Sequence, residues 1–218
     1  DKNEINNIFK INPQSINVKK INFDSKNNFY FKLNKKYKIR DLKINSEISL
    51  NYLESENLLK LKEIFPKIKD KILLKNHEIK LNYNQQSLNI KGNGQIFIQD
   101  MPDKIEYIIS KKDNEINFNT DLIISENKFK INFLNYSKDK KTDLKINIIG
   151  KKKFKKDLYL EKIYLSEKKN EILISKLYLS NNYKIKEIDK IDLNYKDNEN
   201  LQNKVQINKI NKNFLIKG

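Results

Sequence analysis

Strict alternation of apolar and polar side chains runs through residues 79–83, whose sequence is Ile-Lys-Leu-Asn-Tyr. In a β-strand, such alternation places the apolar side chains on one face and the polar side chains on the other. The outward positions are mostly Lys and Asn, which predicts a sheet with one face in water. The same pattern recurs on both sides of this stretch, at residues 42–44, 48–52, 88–90, 96–98, 105–108, 116–118, 129–133, 144–148, 163–165, 172–174, 177–179, 191–195, 205–207 and 214–216.

Short polar pairs separate many of these predicted strands. Asn and Asp tolerate a positive φ and bond their own backbone, so they can form hairpin turns where glycine is scarce. The glycine cluster at residues 92–94 is interpreted as a bulge or a tight bend between two strands. A mainly β fold is therefore predicted: a long, twisted antiparallel meander, curled into a groove or an open half-barrel. The predicted turn pairs lie at residues 27–28, 113–114, 126–127, 169–170, 181–182 and 197–198.

One segment has helical rather than strand periodicity. Between residues 57 and 74 the apolar side chains recur at intervals of three and four, as in a helix that buries one stripe. Pro66 interrupts this stripe and predicts two short helices within residues 55–75 that cover one open end of the sheet. The chain is thus divided into lead-in strands at 1–40, a helical cover at 55–75 and the β-meander at 76–218. The stripe consists of Leu58, Leu61, Phe65, Ile68 and Ile72.

Composition excludes several classes of protein. The chain has 218 residues, 45 Lys+Arg, 28 Asp+Glu and no cysteine, so its formal charge is +17 and thiolate-metal chemistry is excluded. Its apolar runs reach only three residues, as at 122–124, whereas a membrane-spanning helix needs about 20. Arg40 is the only arginine, and a protein that reads bases would be expected to use more of them. Sequence-specific nucleic-acid binding is therefore not expected, whereas non-specific attraction to phosphate requires only the positive charge.

Candidate catalytic groups are few. His77 is the only histidine and precedes a predicted strand, where an exposed or turn-capping position is expected. The carboxylates are scattered among lysines, and no pair suggests acid–base chemistry. The basic run at 151–156 is interpreted as a solvated loop, with contact to anionic head groups as the alternative. The chain is predicted to be non-enzymatic and to need no cofactor or metal.

The predicted sheet has an apolar face with only the helical cover available to bury it. Three arrangements remain open: the sheet folds over as a sandwich, closes as a barrel, or curls into a groove that holds a lipid. If a groove forms, the candidate track is Ile79, Leu81, Leu88, Ile90, Ile96, Ile98, Ile116, Phe118, Phe129, Ile131, Phe133, Leu144, Ile146 and Ile148. Ordinary core packing is the alternative role for each of these side chains.

The order of several segments resembles the AsmA-like superfamily, in particular its YhdP and TamB type. The segments are LKEIFP at 61–66, HEIKLNY at 77–83 and LNIKGNGQI at 88–96, followed by INKI at 207–210 and NFLIKG at 213–218. The resemblance covers residues 40–218 and implies that the chain is one segment of a larger repeat protein. The absence of an initiator Met fits this expectation. It further implies a periplasmic protein, anchored in the inner membrane of a bacterial envelope outside this segment. Its β-groove would conduct phospholipid across the periplasm, between the inner and outer membranes, without catalytic residues.

Two other functions remain open from the sequence. The first is a structural or adhesive module whose sheets bury each other. The second is non-specific binding of single-stranded nucleic acid, with aromatic rings as stacking platforms beside lysines. The second function predicts that Tyr30, Tyr37 and Tyr195 are exposed.

Overall fold

The computed structural model describes residues 18–57, 61–153, 157–211 and 213–218. It is mainly β, with 72% strand and 2% helix, and one antiparallel sheet of 12 strands dominates it. Every strand of this sheet pairs with its neighbours in chain order, and the sheet is not closed into a barrel. The predicted curled meander is therefore confirmed.

The large sheet and a small second sheet account for all strands of the described residues. Strands β7 and β8 form the small sheet and enclose a short 3-10 helix, Asn132–Leu134; β6 pairs directly with β9. The strands are β1 Val18–Leu33, β2 Ile39–Glu56, β3 Lys71–Asn84, β4 Ser87–Phe97, β5 Asp103–Lys112, β6 Glu115–Ile124, β7 Lys130–Ile131, β8 Tyr136–Ser137, β9 Leu144–Lys153, β10 Leu158–Glu167, β11 Asn170–Leu179, β12 Ile185–Lys196, β13 Gln202–Ile210 and β14 Asn213–Lys217.

The hydrophobic core lies at one end of the sheet, beneath two connecting segments that we call the cap, residues 61–70 and 125–143. Phe65 and Phe129, one from each segment, meet edge to face with ring centroids 5.5 Å apart. Both pack with sheet residues such as Ile124 and Leu144, which are almost completely buried. The backbone amide of Lys130 also donates to the carbonyl of Ile64 at 3.0 Å, so the two cap segments support each other.

The predicted helical segment at 55–75 is wrong. Ser55 lies in β2, β3 already begins at Lys71, and the described residues 61–70 are turns. The amide of Phe65 donates to the carbonyl of Leu61 at 2.7 Å, which makes one helical turn, and Pro66 then prevents its continuation. Leu61, Phe65 and Ile68 of the stripe nevertheless pack in or against the core, whereas Ile72 lies in β3. Leu58 lies outside the described residues.

The predicted strand at 129–133 does not belong to the large sheet. Only two of its residues are extended, and the chain turns at Asn135, which has a left-handed backbone with φ 49°. Phe129 is 5% exposed and belongs to the core, whereas Phe133 is 88% exposed. The alternation of apolar and polar residues at 129–133 therefore does not indicate a strand. It belongs to a turn in the cap that has one side buried.

Several predicted turns are also revised. The pairs at 113–114 and 181–182 are turns, whereas Asn27 and Asn28 lie inside β1, opposite Ser46 and Asn45. The turn predicted at 169–170 lies at 168–169. Lys151–153 continue β9 rather than forming a loop, and residues 154–156 of the same run lie outside the described residues.

Candidate functional site

Strand register shows which predicted track residues share a face. Directly opposed residues of paired strands project to the same side of a sheet. Leu81 opposes Ile90, and Thr120, on the same face as Phe118, opposes Ile148. The face so defined is called the inner face. It carries Ile79, Leu81, Leu88, Ile90, Ile96, Ile116, Phe118, Leu144, Ile146 and Ile148.

The remaining track residues lie elsewhere. Ile98 follows β4 directly and belongs to the core. Phe129 and Ile131 lie in the cap and pack against the core from the other side. Phe133 points into solvent from the 3-10 helix. Phe129, Ile131 and Phe133 therefore do not form part of a track on the sheet.

The inner face divides into two zones. Beneath the cap, residues such as Ile96, Leu144 and Ile146 form the closed core. Away from the cap lies a zone that we call the open lane, composed of three rows that cross the strands. The row next to the core contains Ile48, Ile79, Tyr107, Ile148, Ile163, Ile174, Ile191 and Ile207; the middle row Leu81, Ile90, Ile109, Phe118, Leu160, Leu177 and Ile188; the outer row Ile44, Tyr83, Leu88, Ile116, Leu158, Leu179 and Ile185.

Each row of the open lane is a chain of directly opposed residues from one strand to the next. The row next to the core runs from Ile48 in β2 to Ile207 in β13, interrupted only by Gly92 and Thr120. At about 4.8 Å between strands, a row of this extent is roughly 43 Å long. The open lane is therefore an extended apolar strip, perpendicular to the strands.

The side chains of the open lane are buried mainly by one another. Ile44, Leu88, Leu160 and Leu177 are buried; Ile116 and Ile185, in the outer row, are exposed, and the others are half-buried. Among the described residues, the cap packs on the core zone, and the strands of the large sheet make their main contacts with their neighbours in that sheet. No second layer of strands from this part of the chain therefore packs on the lane.

His77 marks the border between the core and the open lane. It is completely buried, which corrects the predicted exposed position. One ring nitrogen, Nε2, lies 2.9 Å from the carbonyl oxygen of Gln95, and Nδ1 lies 3.4 Å from the hydroxyl of Tyr107. A register shift in β3, where Asn76 has φ 52°, brings this side chain to the inner face. These contacts give His77 a packing role.

The glycines at 92 and 94 provide the space for these two rings. Both lie inside β4, not in a bend between two strands. A Cβ on Gly94 would lie 2.3 Å from Cδ2 of His77, and one on Gly92 would lie 2.5 Å from Cζ of Tyr107. Burial among these groups raises the pKa of Tyr107. The glycines therefore permit close packing of large rings on the sheet.

Two buried carboxylates attach the cap to the sheet. Glu167 accepts hydrogen bonds from the Tyr136 hydroxyl at 2.6 Å, the Asp139 amide at 2.8 Å and the Thr142 hydroxyl at 2.5 Å. The side-chain amide of Asn127 donates to Oδ2 of Asp103 at 2.8 Å. Because all these donors belong to the cap, both carboxylates have a structural explanation.

Burial raises the pKa of Asp103 to about 6, although the hydrogen bond from Asn127 acts in the opposite direction. Its second oxygen, Oδ1, is buried without a hydrogen-bond partner. Within the described residues, no three His, Asp or Glu side chains are arranged to hold a metal ion. The same part of the chain contains no helix with the length and apolar character needed to cross a membrane.

The ends of the strands form two opposite sides of the sheet, which we call its edges, and these differ in charge. In an antiparallel meander, alternate connections between strands lie on the same one of these two sides. The edge opposite the cap is called the open rim: residues 32–40, 83–88, 111–116, 152–159, 178–186 and 209–214, which are its connections with two strand residues on each side. Its described charged residues are the cations Lys32, Lys35, Lys36, Lys38, Arg40, Lys111, Lys112, Lys152, Lys153, Lys184, Lys186 and Lys209, and the carboxylates Asp113, Glu115 and Asp157.

The capped edge, delimited in the same way, is nearly neutral. It comprises 55–72, 96–104, 123–145, 166–171 and 195–203, and its described residues include fourteen cations and twelve carboxylates. The open rim has twelve cations and only three carboxylates. Positive charge is therefore concentrated along the open side of the lane.

No family model, curated protein or solved structure matches this chain. The resemblance to the AsmA-like superfamily thus remains a prediction from segment order.

Sequence reasoning missed the second half of the lane. Ile163, Ile174 and Ile191 extend the row that contains Ile148, through directly opposed pairs. Their alternating pattern was visible in the sequence. Projecting that alternation through the turn at 168–169 would have included them.

Proposed function

We propose that the open lane binds the acyl chains of phospholipid. In this function the chain is a non-enzymatic β-groove segment that conducts lipid between the inner and outer membranes of a bacterial envelope. The observation that supports it is the continuity of the apolar row next to the core over ten strands. A middle row crosses eight strands beside it, and an outer row, interrupted by two lysines, crosses nine.

The physical basis is transfer of acyl chains from water to an apolar strip. Each buried CH₂ contributes about 0.8 kcal/mol, and similar Ile and Leu side chains along a row provide no single deep minimum. A chain can therefore move along the lane with small barriers. Lys111 and Lys152 lie in the outer row, where their ammonium groups can stay in water beside phosphate head groups.

Neighbouring residues of β5 provide a matched test. Ile109 faces the open lane, whereas Ile108 lies on the opposite face and is 50% exposed. A photo-crosslinking amino acid at Ile109 should capture phospholipid in bacterial cells, and the same group at Ile108 should not. Both positions replace an isoleucine in one strand, so they control for expression and reactivity. Equal capture at the two positions would contradict the proposal.

The proposed location is the periplasm, with an inner-membrane anchor elsewhere in a longer parent protein. Phospholipid is the proposed ligand, the outer-membrane partner is unidentified, and neither a cofactor nor specific nucleic acid is involved. Fractionation of cells that express the complete reading frame tests this location. Recovery of the protein in the cytosol would contradict it.

Non-specific nucleic-acid binding is the second candidate. Tyr30 and Tyr37 are exposed, and Tyr37 lies between Lys36 and Lys38, as stacking on a lysine-rich surface would require. Tyr195 does not fit, because it is buried and its hydroxyl donates to the Leu134 carbonyl at 2.9 Å. Oligonucleotide affinity that falls steeply with salt, without lipid capture at Ile109, would favour this candidate.

A further inference from the structure

We propose that the open rim docks onto the surface of an anionic phospholipid bilayer. The first observation is the charge difference between the two edges of one sheet. Twelve cations face three carboxylates at the open rim, whereas the capped edge is almost balanced. A generally lysine-rich composition would affect both edges alike and does not explain this asymmetry. A row of lysines along one edge matches the negative potential of an anionic membrane.

The connection between β1 and β2 carries the densest part of this charge. Lys35, Lys36 and Lys38 lie in a run without a carboxylate at 32–40, and within the described residues none of them forms an ion pair. The turn has a defined shape: Oδ1 of Asn34 accepts the amides of Lys36 and Lys38 at 2.9 and 3.0 Å. Its ammonium groups are therefore presented to solvent by an ordered turn.

Exposed aromatic and aliphatic side chains accompany the lysines. Tyr37, at the tip of this turn, is 85% exposed, and Tyr183, in the connection between β11 and β12, is 66% exposed. Ile39 and Ile185 lie beside these tips and are also exposed. Tyrosine and lysine at one depth, with an aliphatic side chain beside them, fit the interface between head groups and acyl chains.

The position of the open lane favours a lipid surface over a polynucleotide. The outer row of the lane reaches the rim at Ile116, Leu158 and Ile185. Ile39 and Ile185, beside the tyrosine tips, offer bases no aromatic surface for stacking but can enter a membrane interface. Docking at the rim depends only on the charge and the exposed tips, so it can occur whether or not the lane carries lipid.

Vesicle sedimentation of the 218-residue chain tests the proposal. The probes are vesicles of phosphatidylcholine alone and of phosphatidylcholine mixed with equal phosphatidylglycerol. The rim variant is K35Q/K36Q/K38Q, and the matched control, K128Q/K140Q/K141Q, removes the same charge from the exposed surface of the cap. At about fivefold per lysine, the rim variant should bind mixed vesicles about a hundredfold more weakly. The control should lose much less.

Further measurements make the result decisive. Tyr37→Ser should weaken binding without changing net charge, and high salt should release the wild-type chain from mixed vesicles. Equal binding to both vesicle types, or equal losses in the two triple variants, would overturn the proposal. Rim-dependent binding of a single-stranded oligonucleotide without vesicle binding would also overturn it. Circular dichroism checks that each variant is folded. If the rim variant is unfolded, the proposal is tested by the Tyr37→Ser variant and by the salt and lipid dependence of wild-type binding.

Discussion

The core beneath the cap and the open lane share the same strands and the same face, but they differ in what lies above them. Over the core, two connecting segments supply Phe65, Phe129 and Tyr136. Next to the lane, the connections at the open rim are short turns such as residues 85–86. One sheet thus provides a folded core at one end and an accessible apolar surface at the other. The stability of the fold and the surface of the lane can therefore be altered separately.

The largest effect should come from truncating a cap side chain. Phe129→Ala removes a buried ring that meets Phe65, and similar truncations cost about 3–5 kcal/mol. Phe133→Ala removes the same atoms from an 88% exposed position in the same cap and should change stability by less than about 0.5 kcal/mol. Urea unfolding measures both. Similar losses would show that the cap does not bury residues as described.

The pH dependence of the cap should give the next largest effect. The folded pKa of Asp103, about 6, is above its unfolded value, so the folded state binds this proton more tightly. The resulting stabilisation is complete below about pH 4 and is lost as the pH rises through about 6. Replacing Asp103 with Asn mimics the protonated group and should stabilise the protein at pH 8 by about 2–3 kcal/mol.

That gain should almost disappear at pH 4. Urea unfolding of both proteins across this pH range measures the difference between their free energies of unfolding. The other carboxylates titrate alike in the two proteins, so their contribution cancels in this difference. A constant gap between the two proteins would mean that Asp103 titrates normally.

A smaller effect is expected at the border between the two zones. Gly94→Ala places a methyl group against the ring and backbone of His77 and should cost about 1–3 kcal/mol. In the His77→Ala background the same change should cost less, because the ring is gone and only the contact with the backbone of residue 77 remains. Gly218→Ala, with its nearest neighbour 3.9 Å away, serves as the control. Identical costs in both backgrounds would rule out this steric explanation.

The smallest effect on stability should occur in the lane itself. Ile109→Asn introduces an amide at a half-buried position open to solvent, so about 1 kcal/mol is expected. Lipid captured by a photo-crosslinker at the neighbouring lane position Ile90 should nevertheless decrease, because the amide must be desolvated by a passing acyl chain. The matched variant Ile108→Asn should leave capture unchanged. If neither substitution changes lipid capture at Ile90, lipid does not contact the lane at Ile109.

The sheet and much of the lane were predictable from the sequence because period-two alternation is a local signal. Leu81 and Ile90, for example, were assigned to one face before any register was known. The cap was not predictable in the same way. Phe129 and Ile131 alternate as strand residues do, but their burial comes from contacts with residues 61–70, far away in the chain. His77 was missed because its burial depends on a register shift and on Gly94 in the adjacent strand.

The order of strands in the sheet also has a consequence for how the protein folds. Apart from β6, which pairs with β9, each strand of the large sheet pairs with the next one in the chain, so most of the sheet can grow by adding one hairpin at a time. The links between Asn135 and Asn198 and between Leu134 and Tyr195 are different, because they span 63 and 61 residues. During synthesis, the early strands can therefore pair while β12 is still unmade. We expect attachment of the cap to β12 and to the connection that follows it to be a late event, after which the core is sealed.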